Sequence, residues 1–412
     1  MLTREWRPRI ALLAAAGLVS LAALPAAPAP SAAAAPADAI QAKQQWVLAM
    51  LHAEAAWSVT RGAGVTVAVI DSGVNPYVSD LTGSVTTGPN YTGVTTSPSN
   101  KDWGVHGTWM ASLIAGHGHD GGLSGVTGTA PAARILSIRV IPDRADPHYG
   151  KYERERETII QQSLADGIKY AVAHGAQVIS MSIGYSAPSV TVRKELQDAY
   201  DHGVVVIASA GNSGRPGPSS GRAGQAPESF PADYPGVISV SAVNASGEVA
   251  GFSSDNLSVK VAAPGVSVPA QGRDGQYWLV SGTSPACALV AGVAALIKSE
   301  YPRLAPDLVA SALTSTTTDR PAGGYDSQVG FGIVDAAAAL AKAGRLAGVR
   351  PVEASIKGTV KYHGVLPPAP VHPRGSGQLI LFSLLALTSL ALIAAAGTRL
   401  AVLRRALRRA NR

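Results

Sequence analysis

Val65-Thr-Val-Ala-Val-Ile-Asp-Ser-Gly73 decides the architecture. Val65 to Ile70 is a largely apolar, β-branched run with no polar alternation. A strand with one wet face alternates; a strand covered on both faces does not, and that is the mark of a parallel sheet between helices. The run then meets Asp71, Ser72 and Gly73, which turn the chain. Open parallel sheets bind ligands beyond the carboxyl ends of their strands. Asp71 is therefore a carboxylate placed where chemistry is expected.

Working outward, the same theme recurs in Arg134 to Val140, Gln177 to Ser182, Val204 to Ser209 and Val237 to Val243. Helical periods separate these runs: His106 to Ala115, Ile159 to Ala173, Thr191 to His202 and Ala286 to Ser299. Strand, helix, strand in this rhythm predicts an α/β, three-layer fold with a central, mostly parallel sheet flanked by helices. The body of this fold is expected over residues 40–345.

The two ends have other compositions. Arg4, Arg7 and Arg9 precede an uncharged stretch, Ile10 to Leu24, followed by an Ala/Pro-rich run, which predicts a secretory signal peptide over residues 1–39. Residues 346–378 read as a linker ending in Leu366-Pro-Pro-Ala-Pro-Val-His-Pro-Arg-Gly-Ser-Gly377, a polyproline-biased spacer. Leu379 to Thr398 carries no charge over 20 residues. At 1.5 Å per residue that length spans a hydrocarbon core of about 30 Å, so a transmembrane helix is expected over 379–400. The tail 401–412 is basic, and the positive-inside rule puts it in the cytoplasm with the catalytic body outside the cell membrane.

The net charge is +7, but Arg404, Arg405, Arg408, Arg409 and Arg412 supply most of it. The remaining body is nearly neutral, which excludes a polyanion footprint and a nucleic-acid partner. Hydrophobic residues make up 46 % and charged residues 15 %, a balance that excludes disorder. Cys287 is the single cysteine and permits no internal disulfide; it reads as a small buried hydrophobe.

Four short motifs occur in order, each where a strand ends or a helix begins. They are Asp71-Ser-Gly73, His106-Gly-Thr108, Ala210-Gly-Asn212 and Ser281-Gly-Thr-Ser-Pro-Ala286. Each alone is an ordinary turn or helix cap; the ordered set is not. A hydroxyl needs a neighbouring base to attack at neutral pH, and that base needs an orienting group. Ser284, His106 and Asp71 supply nucleophile, general base and orienter. Asn212 is the candidate side-chain donor to a developing oxyanion, alongside the Ser284 N–H, and such a donor lowers the barrier by roughly 3–4 kcal/mol.

On these motifs the sequence resembles the subtilase family of serine proteases over roughly Trp57 to Leu340, and the Asp, His, Ser order with its Asn donor is that of subtilisin. The resemblance extends to Gly125-Val-Thr-Gly-Thr-Ala-Pro131, Val178 to Gly184 and Gly282 to Gly292. It implies an endopeptidase acting on proteins or peptides outside the cytoplasm through an acyl-enzyme. It implies that Ser182, Ile183 and Gly184 pair with substrate by strand addition, and that Gly211 walls the pocket for the residue before the scissile bond. It implies no required cofactor; structural calcium belongs to the family, but no loop of carboxylates assigns a site here. The signal peptide, the Gln45-Trp46 to Ala56-Trp57 segment, the Pro-rich linker, the C-terminal helix and the Arg tail make the chain most similar to the mycosins. Those are the type VII secretion proteases of actinobacteria, and they imply that secretion machinery as a partner. Two departures stand out: mycosins carry paired cysteines, and Pro285 follows Ser284 directly, with Ala288 and Leu289 where the family has Pro and His.

Other candidates are set aside. His117-Gly-His119-Asp120 reads as a loop with nothing to fix metal ligands. Lys151-Tyr-Glu-Arg-Glu-Arg-Glu157 reads as a solvated helix face or a surface insertion that touches a partner. His174 and His202 precede glycines and suit helix C-caps. The alternative function is a non-catalytic scaffold or binding protein on a subtilase fold.

Overall fold

The computed structural model describes residues 37–215 and 226–348, together with positions 388, 389, 395, 398 and 399. The chain separates into two units, Met1–Arg350 and Pro351–Arg412. The five described positions of the second unit are helical and exposed. Among the described residues no helix is long and apolar enough to cross a membrane. The expected signal peptide, linker, transmembrane helix and basic tail lie almost wholly outside those residues.

In chain order the first unit runs α1 (Ala37–Met50), α2 (Ala53–Trp57), β1 (Thr66–Asp71), β2 (Val85–Asn90), α3 (Val105–Ala115), β3 (His117–His119), β4 (Ser124–Thr127) and β5 (Arg134–Arg139). It continues with α4 (Tyr149–Ala173), β6 (Val178–Met181), α5 (Val190–Asp201), β7 (Val205–Ser209), β8 (Ile238–Val243), β9 (Val259–Pro264), β10 (Val268–Gln271) and β11 (Tyr277–Val280). Helices α6 (Thr283–Glu300), α7 (Pro306–Ser315) and α8 (Ala336–Ala347) close it.

Seven strands form the central sheet in the order β2-β5-β1-β6-β7-β8-β9, and every pairing in it is parallel. Strand side chains alternate between faces, and the two cores divide accordingly. Val67, Val69, Ile135, Val178, Val205 and Ile207 enter the core that holds α3 and α6. Ala68, Ile70, Ile138, Ile179, Met181 and Val206 enter the core that holds α4 and α5. Burial on both faces explains why these strands are largely apolar, and the expected three-layer arrangement is the observed one.

The differences from expectation have local causes. Strand β2 contains Gly88 and Pro89, yet it sits at the sheet edge, where a missing N–H is tolerated. The run before Ser284, Tyr277–Val280, pairs antiparallel with β10 in a separate two-stranded sheet. Helix α4 starts at Tyr149, ten residues before the apolar period at Ile159. His117–His119, expected as loop, is a short strand antiparallel to β4. Helix α1 buries Ile40, Gln44, Val47 and Leu48 on one face, and Leu51 is buried just after it. Gln44 serves there as a strand-like partner: its Nε2 donates to Thr127 O at 2.7 Å and its Oε1 accepts from Thr127 N at 3.0 Å. At the far side, Ala336 N donates to Leu51 O at 2.8 Å and His52 Nδ1 meets Asp335 Oδ2 at 2.8 Å.

Candidate active site

Three neighbouring strands deliver part of the expected site, and helices α3 and α6 supply the rest. Strand β1 ends on Asp71, β6 runs into Ser182, and β7 runs through Ala210 and Gly211 to Asn212. Adjacent strands lie about 4.8 Å apart, so the carboxyl ends of these three fall within about 10 Å of one another. Asp71 is 1 % exposed, and its Oδ1 accepts from Ser72 N at 2.6 Å. His106 Nδ1 lies 2.8 Å from Asp71 Oδ1 and 3.0 Å from Oδ2. The Nδ1–H therefore points at the carboxylate, and Nε2 is the nitrogen left to meet a substrate or a hydroxyl.

Helix α3 holds His106 at its second position, and its start is fixed in three ways. Asp143, in the loop after β5, accepts from Gly104 N at 2.8 Å, Val105 N at 3.1 Å and His106 N at 2.9 Å. One carboxylate thus satisfies three of the orphan donors of a helix start and complements its dipole. Ser72 Oγ accepts from Gly107 N at 3.1 Å. Finally, any Cβ at position 107 would collide with Gly73 O, so only glycine lets α3 approach the exit of β1 this closely.

The electrostatics follow from this frame. The His106 side chain is 31 % exposed. Burial favours its neutral form, but the charge and hydrogen bond of Asp71, helped by the more distant Asp143, outweigh it and raise the imidazole above its ordinary value. Burial also pushes the Asp143 carboxyl up, against the backbone donors that hold it ionised.

Ser284 is the second residue of α6 and partly exposed. Its neighbours aim it. Gly282 adopts φ +154°, a region L side chains rarely enter, and turns the chain from β11 into the helix. Asn212 Oδ1 accepts from Thr283 N at 2.9 Å and Thr283 Oγ1 at 3.0 Å. That commits the amide oxygen and frees Nδ2. A Cβ placed on Gly282 would lie 3.5 Å from Asn212 Nδ2 and 3.7 Å from Ser284 N, so both donors flank one small space. Ser182 Oγ donates to Ser284 O at 3.3 Å. Pro285 falls in the first turn of α6, where no N–H is required of it. Helix α3 packs against α6, and Ser182, bonded to Ser284 O, lines the same cleft as His106. Among the described residues no hydrogen bond joins His106 to Ser284 directly; such bonds are commonly long in unliganded enzymes and tighten with substrate.

A cleft of ≈ 520 Å³ opens beside His106, with Ser182, Ile183 and Gly184 along one side and Tyr152, Glu153 and Arg156 of α4 along another. Gly184 and Gly211 face a common neighbour: added Cβ atoms would lie 2.9 and 3.2 Å from Ser229 Oγ.

Sequence reasoning missed several contributors. Asp143 caps α3 from 37 residues away, and only topology brings it there. Ser229 reaches the pocket walls from the segment after β7. Arg156 belongs to the charge run expected to be a solvated face, yet it lines the cleft; the only advance sign was Tyr152, a buried aromatic inside that run. His119 Nδ1 sits 2.7 Å from the buried Asp80 Oδ1, whose Oδ2 accepts from Val126 N at 2.7 Å. Among the described residues no group of three or more His, Cys, Asp or Glu is arranged to hold a metal ion. His174 and His202 are helix C-caps, each with Nδ1 2.8 Å from a carbonyl four residues back. Cys287 is buried, and burial pushes its thiol up to about 12.

Comparison with known proteins bears on the family of this fold. Subtilisin DY of Bacillus licheniformis is 36 % identical over 259 residues, 63 % of this chain and 85 % of the relative. Subtilisin E of Bacillus subtilis (strain 168) is 35 % identical over 257 residues, but the match spans only 61 % of its length. Among solved structures, MycP1 from Mycobacterium smegmatis superposes with a TM-score of 0.60 at 30 % identity, covering 72 % of this chain and 84 % of that one. The MycP3 protease from the type VII (ESX-3) secretion system gives a TM-score of 0.62 at 31 % identity, covering 72 % and 87 %. The subtilase family model matches residues 62–332, and the chain accordingly belongs to the subtilase family of serine endopeptidases.

Proposed function

We propose that the protein hydrolyses peptide bonds of extracytoplasmic proteins with Ser284 as nucleophile, His106 as general base and then acid, and Asp71 as the group that orients the imidazole. The observation that carries this is the two-oxygen grip of Asp71 on His106 Nδ1, at 2.8 and 3.0 Å, at the mouth of a peptide-sized cleft. It fixes the tautomer in which Nε2 can take the Ser284 proton, and it stabilises the imidazolium that results. Attack on the scissile carbonyl gives a tetrahedral oxyanion. Asn212 Nδ2 and the Ser284 N–H receive that charge, and the dipole of α6 adds to it. His106 then protonates the leaving amine, and water repeats the sequence on the acyl-enzyme.

Substrate enters as an extra strand against Ser182, Ile183 and Gly184. The residue before the scissile bond enters between Gly184 and Gly211, and the Ser229 hydroxyl shortens that pocket, which suits small side chains. The likeness to MycP1 and MycP3 supports a role beside a type VII secretion system, with the apolar stretch 379–398 as membrane anchor and the basic tail in the cytoplasm. The test is covalent labelling by a fluorophosphonate together with cleavage of peptide substrates. Both are expected in the unmodified chain, and both are expected to vanish in Ser284→Ala. A chain that takes no label while folded is a scaffold and not a protease.

A further inference from the structure

The amino-terminal turns of α4 overhang the cleft, and Arg156 stands out among their side chains. Its guanidinium side chain is 39 % exposed, and Nη2 donates to Gly184 O at 2.9 Å. A guanidinium carries five N–H donors in a rigid fork, so one backbone bond leaves most of them open. Its ion pair with Glu153 is long, 3.9 Å, well beyond a charge-assisted hydrogen bond. The other acid of the cleft, Asp143, is spent on three backbone N–H groups of α3. Arg144 adds a second cation to the lining. Tyr152, 2 % exposed, gives this wall an apolar base, and charges act more strongly beside such surface than in open water.

We propose that Arg156 is a specificity-determining residue: it selects peptides that carry a carboxylate side chain on the amino-terminal side of the scissile bond. This rests on the peptidase reading above, with substrate lying along Ser182 to Gly184. A strand in that position runs past the guanidinium anchored on Gly184 O. A Glu or Asp side chain there accepts two parallel N–H bonds from the fork, which a neutral amide cannot match.

The experiment uses the full chain and matched fluorogenic peptides with Glu or Gln at successive positions before the cleavage point. Active enzyme is counted by fluorophosphonate titration. At one position Glu is expected to exceed Gln about tenfold in kcat/KM at low salt, and the ratio should shrink toward unity near 1 M salt as the charge is screened. Arg156→Ala should abolish the ratio and Arg156→Glu should invert it, favouring a Lys peptide. Equal rates for Glu and Gln at every position in the unmodified protein overturn the proposal without any variant. A preference that survives Arg156→Ala overturns it too. A chain that labels and cleaves without selecting Glu refutes the role of Arg156 alone. A chain that never labels refutes the peptidase reading and this inference with it.

Discussion

Asn212 performs two tasks with one amide, and substitution can separate them. Its Oδ1 holds Thr283 N and Oγ1, at 2.9 and 3.0 Å, while its Nδ2 faces the space beside Gly282 that Ser284 N also borders. Asn212→Ala removes both functions. Two donors of the buried Thr283 lose their acceptor, and because residue 212 itself is exposed, water replaces part of the loss; a destabilisation of about 1–2 kcal/mol is expected. Loss of the Nδ2 donor removes one of two oxyanion contacts, which lowers kcat by roughly 10²–10³ in subtilisins. Asn212→Asp keeps the acceptors for Thr283 and loses the donor. It should melt within about 2 °C of the unmodified protein, since only a few tenths of a kcal/mol separate them, yet show a kcat loss at least as large. Because the contact forms only in the transition state, KM should stay within about threefold. Steady-state kinetics on a chromogenic peptide and a thermal melt measure all of these. If Asn212→Asp keeps kcat within about fivefold, or if the loss falls on KM, then Asn212 does not stabilise an oxyanion and the assignment fails.

Four further outcomes follow from the same frame. In Asp71→Asn the charge and hydrogen bond of Asp71 that raise His106 are gone, while burial and the weaker pull of Asp143 remain, so the acid limb of kcat/KM should move to lower pH, with kcat falling by about 10⁴; an unmoved limb refutes the pairing. The same raised value means that the ion pair stabilises the fold fully below the ordinary histidine value of 6.5, and that this contribution fades as pH rises through the folded value. Arg139→Met leaves the buried Asp146 without the guanidinium 2.7 Å away and should cost about 3–5 kcal/mol in urea unfolding. Adding Asp146→Asn should recover more than half of that loss, and strict additivity of the two changes would refute the coupling. Ser229→Gly should raise the rate on peptides with a large residue before the scissile bond, relative to alanine there, by about tenfold; an unchanged ratio removes Ser229 from the pocket.

The parallel sheet was legible because burial on both faces leaves a largely apolar signature in β1, β6 and β7, and only small serines between the apolar residues of β8. The signature fails wherever burial is one-sided or indirect. Strand β2 is an edge with Thr, Gly and Pro, and α1 keeps a buried glutamine on its inner face. The start of α4 is a charge run, and among its described residues Tyr152 is the buried apolar anchor. Asp71, His106, Asn212 and Ser284 were visible because each sits within two residues of a glycine that its backbone geometry or packing requires, which leaves short motifs in the chain. Asp143, Ser229 and Arg156 carry no such local mark. They act through contacts made only after the strands are ordered, so their roles belong to the fold and not to any stretch of sequence.

The ties between Leu51 and Ala336, and between His52 and Asp335, fasten the first helices of the folded body to its last. Asp335 also accepts from Ala338 N at 2.8 Å, so the knot is built into the cap of α8. A protease is exposed to its own kind, and cleavage demands an extended stretch pulled free of the fold. Fraying usually begins at termini, where opening is least costly. Here an opening that runs inward past α1 or past the cap of α8 must break contacts shared by both, so digestion beyond the terminal helices must wait for a larger and rarer opening.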